Sequence, residues 1–120
     1  MAGFREALKG IARRVPESQV LMVLGTDGIP IDKLAIQPIP EVEALAAEHT
    51  TLLRASLSAA SDTGLGALRE LAVVTERMTT VLVAITPEYF IFAALRPGAI
   101  LGRARFALRL AGLSLRAEFD

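Results

Sequence analysis

The chain has 120 residues, the size of one domain, and its 13 basic and 13 acidic side chains leave no net charge. That balance excludes a global field recruiting nucleic acid or anionic lipid, and the absence of cysteine excludes disulfides, thiolate metal sites and thiol nucleophiles. Hydrophobic residues make up 52% and the mean hydropathy is +0.47, more apolar surface than so small a domain buries alone. An oligomer is expected.

The first helix is readable from Phe4, Leu8, Ile11 and Val15, and ends near Arg14 because Pro16 disfavours a helical Val15. Gln19 to Leu24 is an apolar run too short for a helix, hence a strand buried on both faces. Thr26-Asp27-Gly28 supplies a turn, and Ile31 to Ile36 completes a hairpin. Pro38 and Pro40 close a loop before a helix from about Glu41 to Ser61.

On that helix Val42, Ala46, His49, Leu53, Leu57 and Ala60 share one stripe, and Leu45, Leu52, Ala55 and Ala59 form a second along its flank. The two cover more arc than one sheet contact needs. Glu43, Thr50, Arg54, Ser58 and Ser61 make the expected wet side, and Gly64 and Gly66 end the helix.

Three strands follow, Leu68 to Thr75, Met78 to Ile85 and Tyr89 to Leu95, with connections too short for anything but antiparallel neighbours. The last two lack alternation, so both faces of the sheet should be covered. Arg96-Pro97-Gly98 breaks the chain before a last helix from about Ile100 to Ala117. Leu101, Ala104, Leu108, Ala111 and Leu115 form its sheet-facing stripe. Phe106, Leu110 and Leu113 form another, expected to pack on the first helix or, if exposed, to make an apolar docking patch.

The order is α-β-β-α-β-β-β-α: an α/β (α+β) fold with a five-stranded antiparallel sheet between helices on both faces. The middle helix covers one face and the two terminal helices the other.

Catalytic chemistry finds no support. No G-x-x-x-x-G-K-[ST] loop occurs, and Gly64-Leu65-Gly66 leads into a strand, so neither a phosphate cradle nor a dinucleotide site is expected. His49 reads as a packed or interface imidazole, and Asp27 as a turn residue rather than half of a carboxylate pair with Asp32. Neither cofactor nor metal is expected. The longest apolar run, Tyr89 to Leu95, is far short of the ~20 residues of a membrane span. The start lacks a signal peptide, and Ala2 stands where N-myristoylation needs glycine, so a cytoplasmic chain without membrane insertion is expected.

Four stretches, in order, carry a resemblance. Val20-Leu21-Met22-Val23-Leu24 with Asp27-Gly28-Ile29-Pro30-Ile31 is similar to an aliphatic strand followed by D-G-x-P-I. Gly66-Ala67-Leu68-Arg69-Glu70-Leu71 is similar to a G-x-L-x-x-V strand start. Val81 to Ile85 and Ile91 to Leu95 match two central strands, and Pro97-Gly98-Ala99-Ile100-Leu101-Gly102 a D-P-x-A-N-L-G helix entry. Together they resemble the Roadblock family, the dynein-light-chain and MglB-like regulators of small GTPases, which share a profilin-like layout.

The resemblance implies a homodimer whose edge strands pair into a ten-stranded sheet, with the middle helices packed across a two-fold axis. Its interface would hold Leu45, Leu52, Ala55, Ser56, Ala59, Leu71 and Val73; alternatively, Leu45 and Leu52 merely cover the chain's own loops. It further implies a non-catalytic regulator of a Ras-like (MglA-type) GTPase, or alternatively a structural adaptor without GTPase contact. On this reading the chain is expected to stop at the last helix, without the C-terminal tail of some MglB-type members. Lys9, Arg13, Arg105 and Arg109 are the candidate partner-binding residues, against the plainer reading of a solvated basic face. With zero net charge and no interleaved surface aromatics, nucleic acid is not an expected partner.

Overall fold

A computed structural model describes residues 3–119; the readings that fall on Met1 and Ala2 lie outside them. Helix α1 (Phe4–Arg14) leads into β1 (Ser18–Gly25) and β2 (Pro30–Ala35), then α2 (Val42–Asp62). Strands β3 (Glu70–Val74), β4 (Thr79–Thr86) and β5 (Tyr89–Leu95) precede α3 (Leu101–Arg116) and a single 3₁₀ turn, Ala117–Phe119. The strand order is β2-β1-β5-β4-β3, antiparallel throughout. The expected element order and fold class are therefore present.

Two cores sandwich the sheet, and the two-residue period of a strand sorts side chains between them. Leu21, Val23, Val81, Ile91 and Ala93 pack beneath α1 and α3, with Leu8, Ile11 and Leu108. Val20, Met22, Leu82, Phe90 and Phe92 point the other way and meet Ala46 and Leu53 of α2. That is why β1, β4 and β5 lack alternation. Both of their faces are core.

Several local expectations need correcting. The first strand after α2 begins at Glu70, not Leu68, because Gly64 and Gly66 take positive φ and carry the chain round to the sheet edge. Thr50 is buried rather than wet: its hydroxyl donates to the Ala46 carbonyl at 2.9 Å and its side chain packs beside Gly28. Arg54 reaches the same turn, its Nε donating to the Thr26 carbonyl at 2.6 Å. Of the flank assigned to solvent, Thr50 is thus covered by the β1–β2 turn, whereas Glu43, Arg54, Ser58 and Ser61 are exposed as expected.

The α3 stripe is broader than expected: Ala104, Leu108 and Leu115 are buried as read, and further residues join them on either side. Ala107 and Gly112 are buried, whereas Leu101 and Ala111 are only partly so. Gly112 permits the approach, since a Cβ there would lie 3.3 Å from the Ala84 carbonyl oxygen. Phe106, Leu110 and Leu113 do not pack away on α1: they are 54%, 37% and 70% exposed. Instead α1 lies against the Ala107 and Ala111 side, with an aromatic group at the far end, where Phe119 stacks on Tyr89 at 4.3 Å and meets Phe4 at 5.4 Å.

Candidate functional site

Among the described residues strand β3 pairs only with β4, so its other side is there a free sheet edge of the kind proteins normally cover or blunt. Leu71 and Val73 point to the α2 side and are half-buried. Glu70 points to the opposite side, toward α3.

Beside this edge α2 presents its second apolar strip. Leu52 is 45% exposed, Ala55 and Ala59 are exposed, and Leu45 and Ser56 are half-buried. The Ser56 hydroxyl donates to the Leu52 carbonyl at 2.9 Å, so its polarity is met within the helix and a covering surface need not supply a partner. A cleft of about 140 Å³ separates strip from edge, lined by Leu45, His49, Val73, Thr75, Met78 and Thr80. Leu45 and Val73 thus meet across the cleft and Leu71 packs in the same core layer as Leu45, while Leu52, Ala55, Ser56 and Ala59 continue along α2.

His49 anchors the cleft floor. Its ring meets Leu45 and Thr80 through both nitrogens, at 2.9 and 2.7 Å, and packs edge-on against Phe92 at 5.2 Å. Both nitrogens of this buried ring are thus engaged, one with a backbone carbonyl and the other with the Thr80 hydroxyl, the arrangement of a packed imidazole that ties α2 to the sheet. Asp27 and Asp32 are not brought together: Asp27 accepts the Ile29 N–H at 3.0 Å in the turn, whereas Asp32 pairs with Arg5 at 2.7 Å. Among the described residues, no group of three or more His, Asp or Glu side chains converges as metal ligands would.

The four basic candidates do not form one face. Lys9 lies 3.6 Å from Glu6 on its own helix, and Arg13 makes no ion pair among the described residues. Arg105 and Arg109 both turn to Glu70, the Arg105 Nε at 2.6 Å from one oxygen and the Arg109 Nε on the other. The Arg109 hydrogen bond, with that of Arg105, holds the Glu70 carboxyl below the usual carboxylate range against the opposing effect of burial. These arginines therefore clamp the edge strand to α3. Sequence reasoning missed Glu70, whose only signal was an acid at a strand start opposite two arginines one turn apart.

Solved structures resemble the chain over nearly its whole length. A Roadblock/LC7 domain from Streptomyces avermitilis superposes with a TM-score of 0.84 at 17% identity, covering 98% of both chains. MglC from Myxococcus xanthus shares 29% identity with a TM-score of 0.69, over 96% of this chain and 98% of its own. The gliding protein MglB from Thermus thermophilus gives 0.84 at 16% identity, over 94% of this chain and 85% of its own. No protein-family model and no curated protein sequence matches the chain.

Proposed function

We propose that this chain, with its Roadblock fold, is a homodimeric, non-catalytic regulatory module of the cytoplasm. It binds a Ras-like, MglA-type small GTPase and modulates its nucleotide cycle. The observation that carries the reading is the likeness to MglC, 29% identical across 96% of the chain, with MglB among the further structural matches. Residues 1–120 act as one domain. Two β3 edges pair across a two-fold axis into a ten-stranded sheet, and the α2 strips of Leu45, Leu52, Ala55, Ser56 and Ala59 pack together over Leu71 and Val73. Dimerisation removes both the free strand edge and the apolar excess of α2 at once.

A rigid platform of this kind acts by positioning. It engages the switch loops of the GTPase and biases their geometry without donating a catalytic side chain. Lys9 and Arg13 supply steering charge on α1, with Arg105 and Arg109 contributing through their outer faces. One observation favours a plain adaptor instead: the commitment of Arg105 and Arg109 to Glu70 leaves less free charge for a partner.

The two readings separate in a titration of candidate Ras-like GTPases, following GTP hydrolysis and nucleotide release with and without this chain. The regulatory reading expects a saturable change in one of those rates. Binding with both rates unchanged leaves the adaptor, and no binding to any of them contradicts the proposal.

A further inference from the structure

The terminal-helix layer carries a feature that the α2–β3 interface does not use. Helices α1 and α3 hold a shallow groove between them of about 180 Å³, with Ile11, Ala7, Gly10, Ala107 and Ala111 in its lining. These are mostly small residues, which lets the backbone of a visitor approach closely. Leu110 rises on one side, and with Phe106 and Leu113 it makes an exposed apolar ridge at spacings of four and three residues, one helix face. The layer lies on the opposite face of the sheet from α2, so the groove stays open when α2 is covered.

Charge is distributed as unevenly as apolar surface. The whole chain is neutral, yet α1 and α3 together carry eight of the 13 basic residues and a single acid, Glu6. Arg5, Arg105 and Arg109 are spent on Asp32 and Glu70. Arg13, Arg14 and Arg103 make no ion pair among the described residues. Phe4 touches Phe119, so α1 begins where α3 ends and the two run antiparallel. Arg14 lines the groove, and Arg103 stands one turn before Ala107 on the same side of α3. Arg116, also without an ion pair among the described residues, ends α3 on the side away from Ala107. The unpaired cations on the groove side therefore stand at the end of Arg14 and Arg103, and Ala7 and Ser114 line the other end.

We propose that the α1–α3 groove receives an amphipathic helix of a partner protein, with carboxylates at the end that meets Arg14 and Arg103. An apolar stripe at i, i+3, i+4 and i+7 fills the hollow between the helices and packs on Phe106, Leu110 and Leu113, the usual geometry of helix-in-groove recognition. Glutamates or aspartates at one end answer the arginines and set the direction of the helix. The concave centre and small-residue floor fit a protruding helix better than a flat lipid surface. Nothing in this inference depends on the partner being a GTPase.

The test uses the full chain and three dye-labelled helical peptides of about 16 residues, sharing one leucine stripe and carrying glutamate, glutamine or lysine at one end. Fluorescence anisotropy at about 0.1 M salt should give at least tenfold tighter binding for the glutamate peptide, weakening as salt is raised. Arg14→Glu with Arg103→Glu should transfer the preference to the lysine peptide. Leu110→Glu should remove binding of all three while circular dichroism still reports a folded protein. Equal binding of the three peptides, or an unchanged order in the double variant, overturns the proposal. So does capture of the protein by phosphatidylserine vesicles without peptide binding, which assigns the surface to lipid. A fall in the protein's own mass in Leu110→Glu overturns it as well, by giving the groove to a second copy. A negative GTPase titration leaves this outcome untouched, so the two proposals fail separately.

Discussion

The Nε2 of His49 lies 2.7 Å from the Thr80 hydroxyl, a buried hydrogen bond that ties α2 to strand β4. The other ring nitrogen donates to the Leu45 carbonyl, so in the neutral imidazole Nε2 is the acceptor and Thr80 the donor. Thr80→Val keeps the shape and deletes that donor, leaving a buried lone pair unmet at a cost of about 1–3 kcal/mol. Urea unfolding should register that loss, and Thr80→Ser should restore most of it. Equal midpoints for wild type and Thr80→Val would falsify the assignment of Thr80 as the anchor of α2.

Glu70 makes a pH prediction. Its carboxyl sits below the ordinary value of 4.5 because Arg109 and Arg105 bond its charged form. The folded state thus binds its proton less readily than the unfolded chain. The stabilisation is complete above the unfolded value and is lost as pH falls through the folded one. Glu70→Gln should lower the urea midpoint at pH 7, and the gap to wild type should close as the solution is acidified below about pH 4.5. A gap that does not shrink at all as the pH falls below the ordinary carboxyl value would show that the carboxylate charge is not what matters. Arg105→Glu with Arg109→Glu places three carboxylates together and should destabilise the fold at neutral pH. Lys9→Glu with Arg13→Glu is therefore the cleaner probe of partner binding, and should slow association most at low salt.

Gly25 and Asp27 are coupled in a way a substitution cycle can read. A Cβ at Gly25 would fall 2.6 Å from Asp27 Oδ1, the oxygen that accepts the Ile29 N–H. Gly25→Ala should push the carboxylate aside and cost about 0.5–1.5 kcal/mol, the worth of the lost hydrogen bond. In an Asp27→Ala background the same substitution should cost much less, because nothing is left to displace. Additive losses would mean that the two positions act independently.

How legible the fold is depends on which neighbour decides each element. Val20 to Leu24 and Phe90 to Leu95 announce themselves, because a strand buried on both faces must be continuously apolar. The α2 strip of Leu52, Ala55 and Ala59 is legible for the converse reason, as apolar arc beyond what one sheet contact absorbs. Thr50 and Phe106 mislead because a helical wheel gives angles without saying where the neighbours stand. The β1–β2 turn comes to Thr50, and α1 takes the Ala107 side and leaves Phe106 bare. Glu70 pairs with residues 35 and 39 positions away, beyond any local pattern.

The most direct test of the dimeric module is a light-scattering mass at low micromolar concentration, on wild type and on Leu52→Arg. Leu52 is 45% exposed in one chain, so an arginine there costs a lone protomer little, whereas between two α2 helices it buries an unpaired charge. The account predicts about twice 12.8 kDa for wild type and the single-chain mass for a folded Leu52→Arg. A wild type of single-chain mass, or a Leu52→Arg variant that stays dimeric, would contradict it.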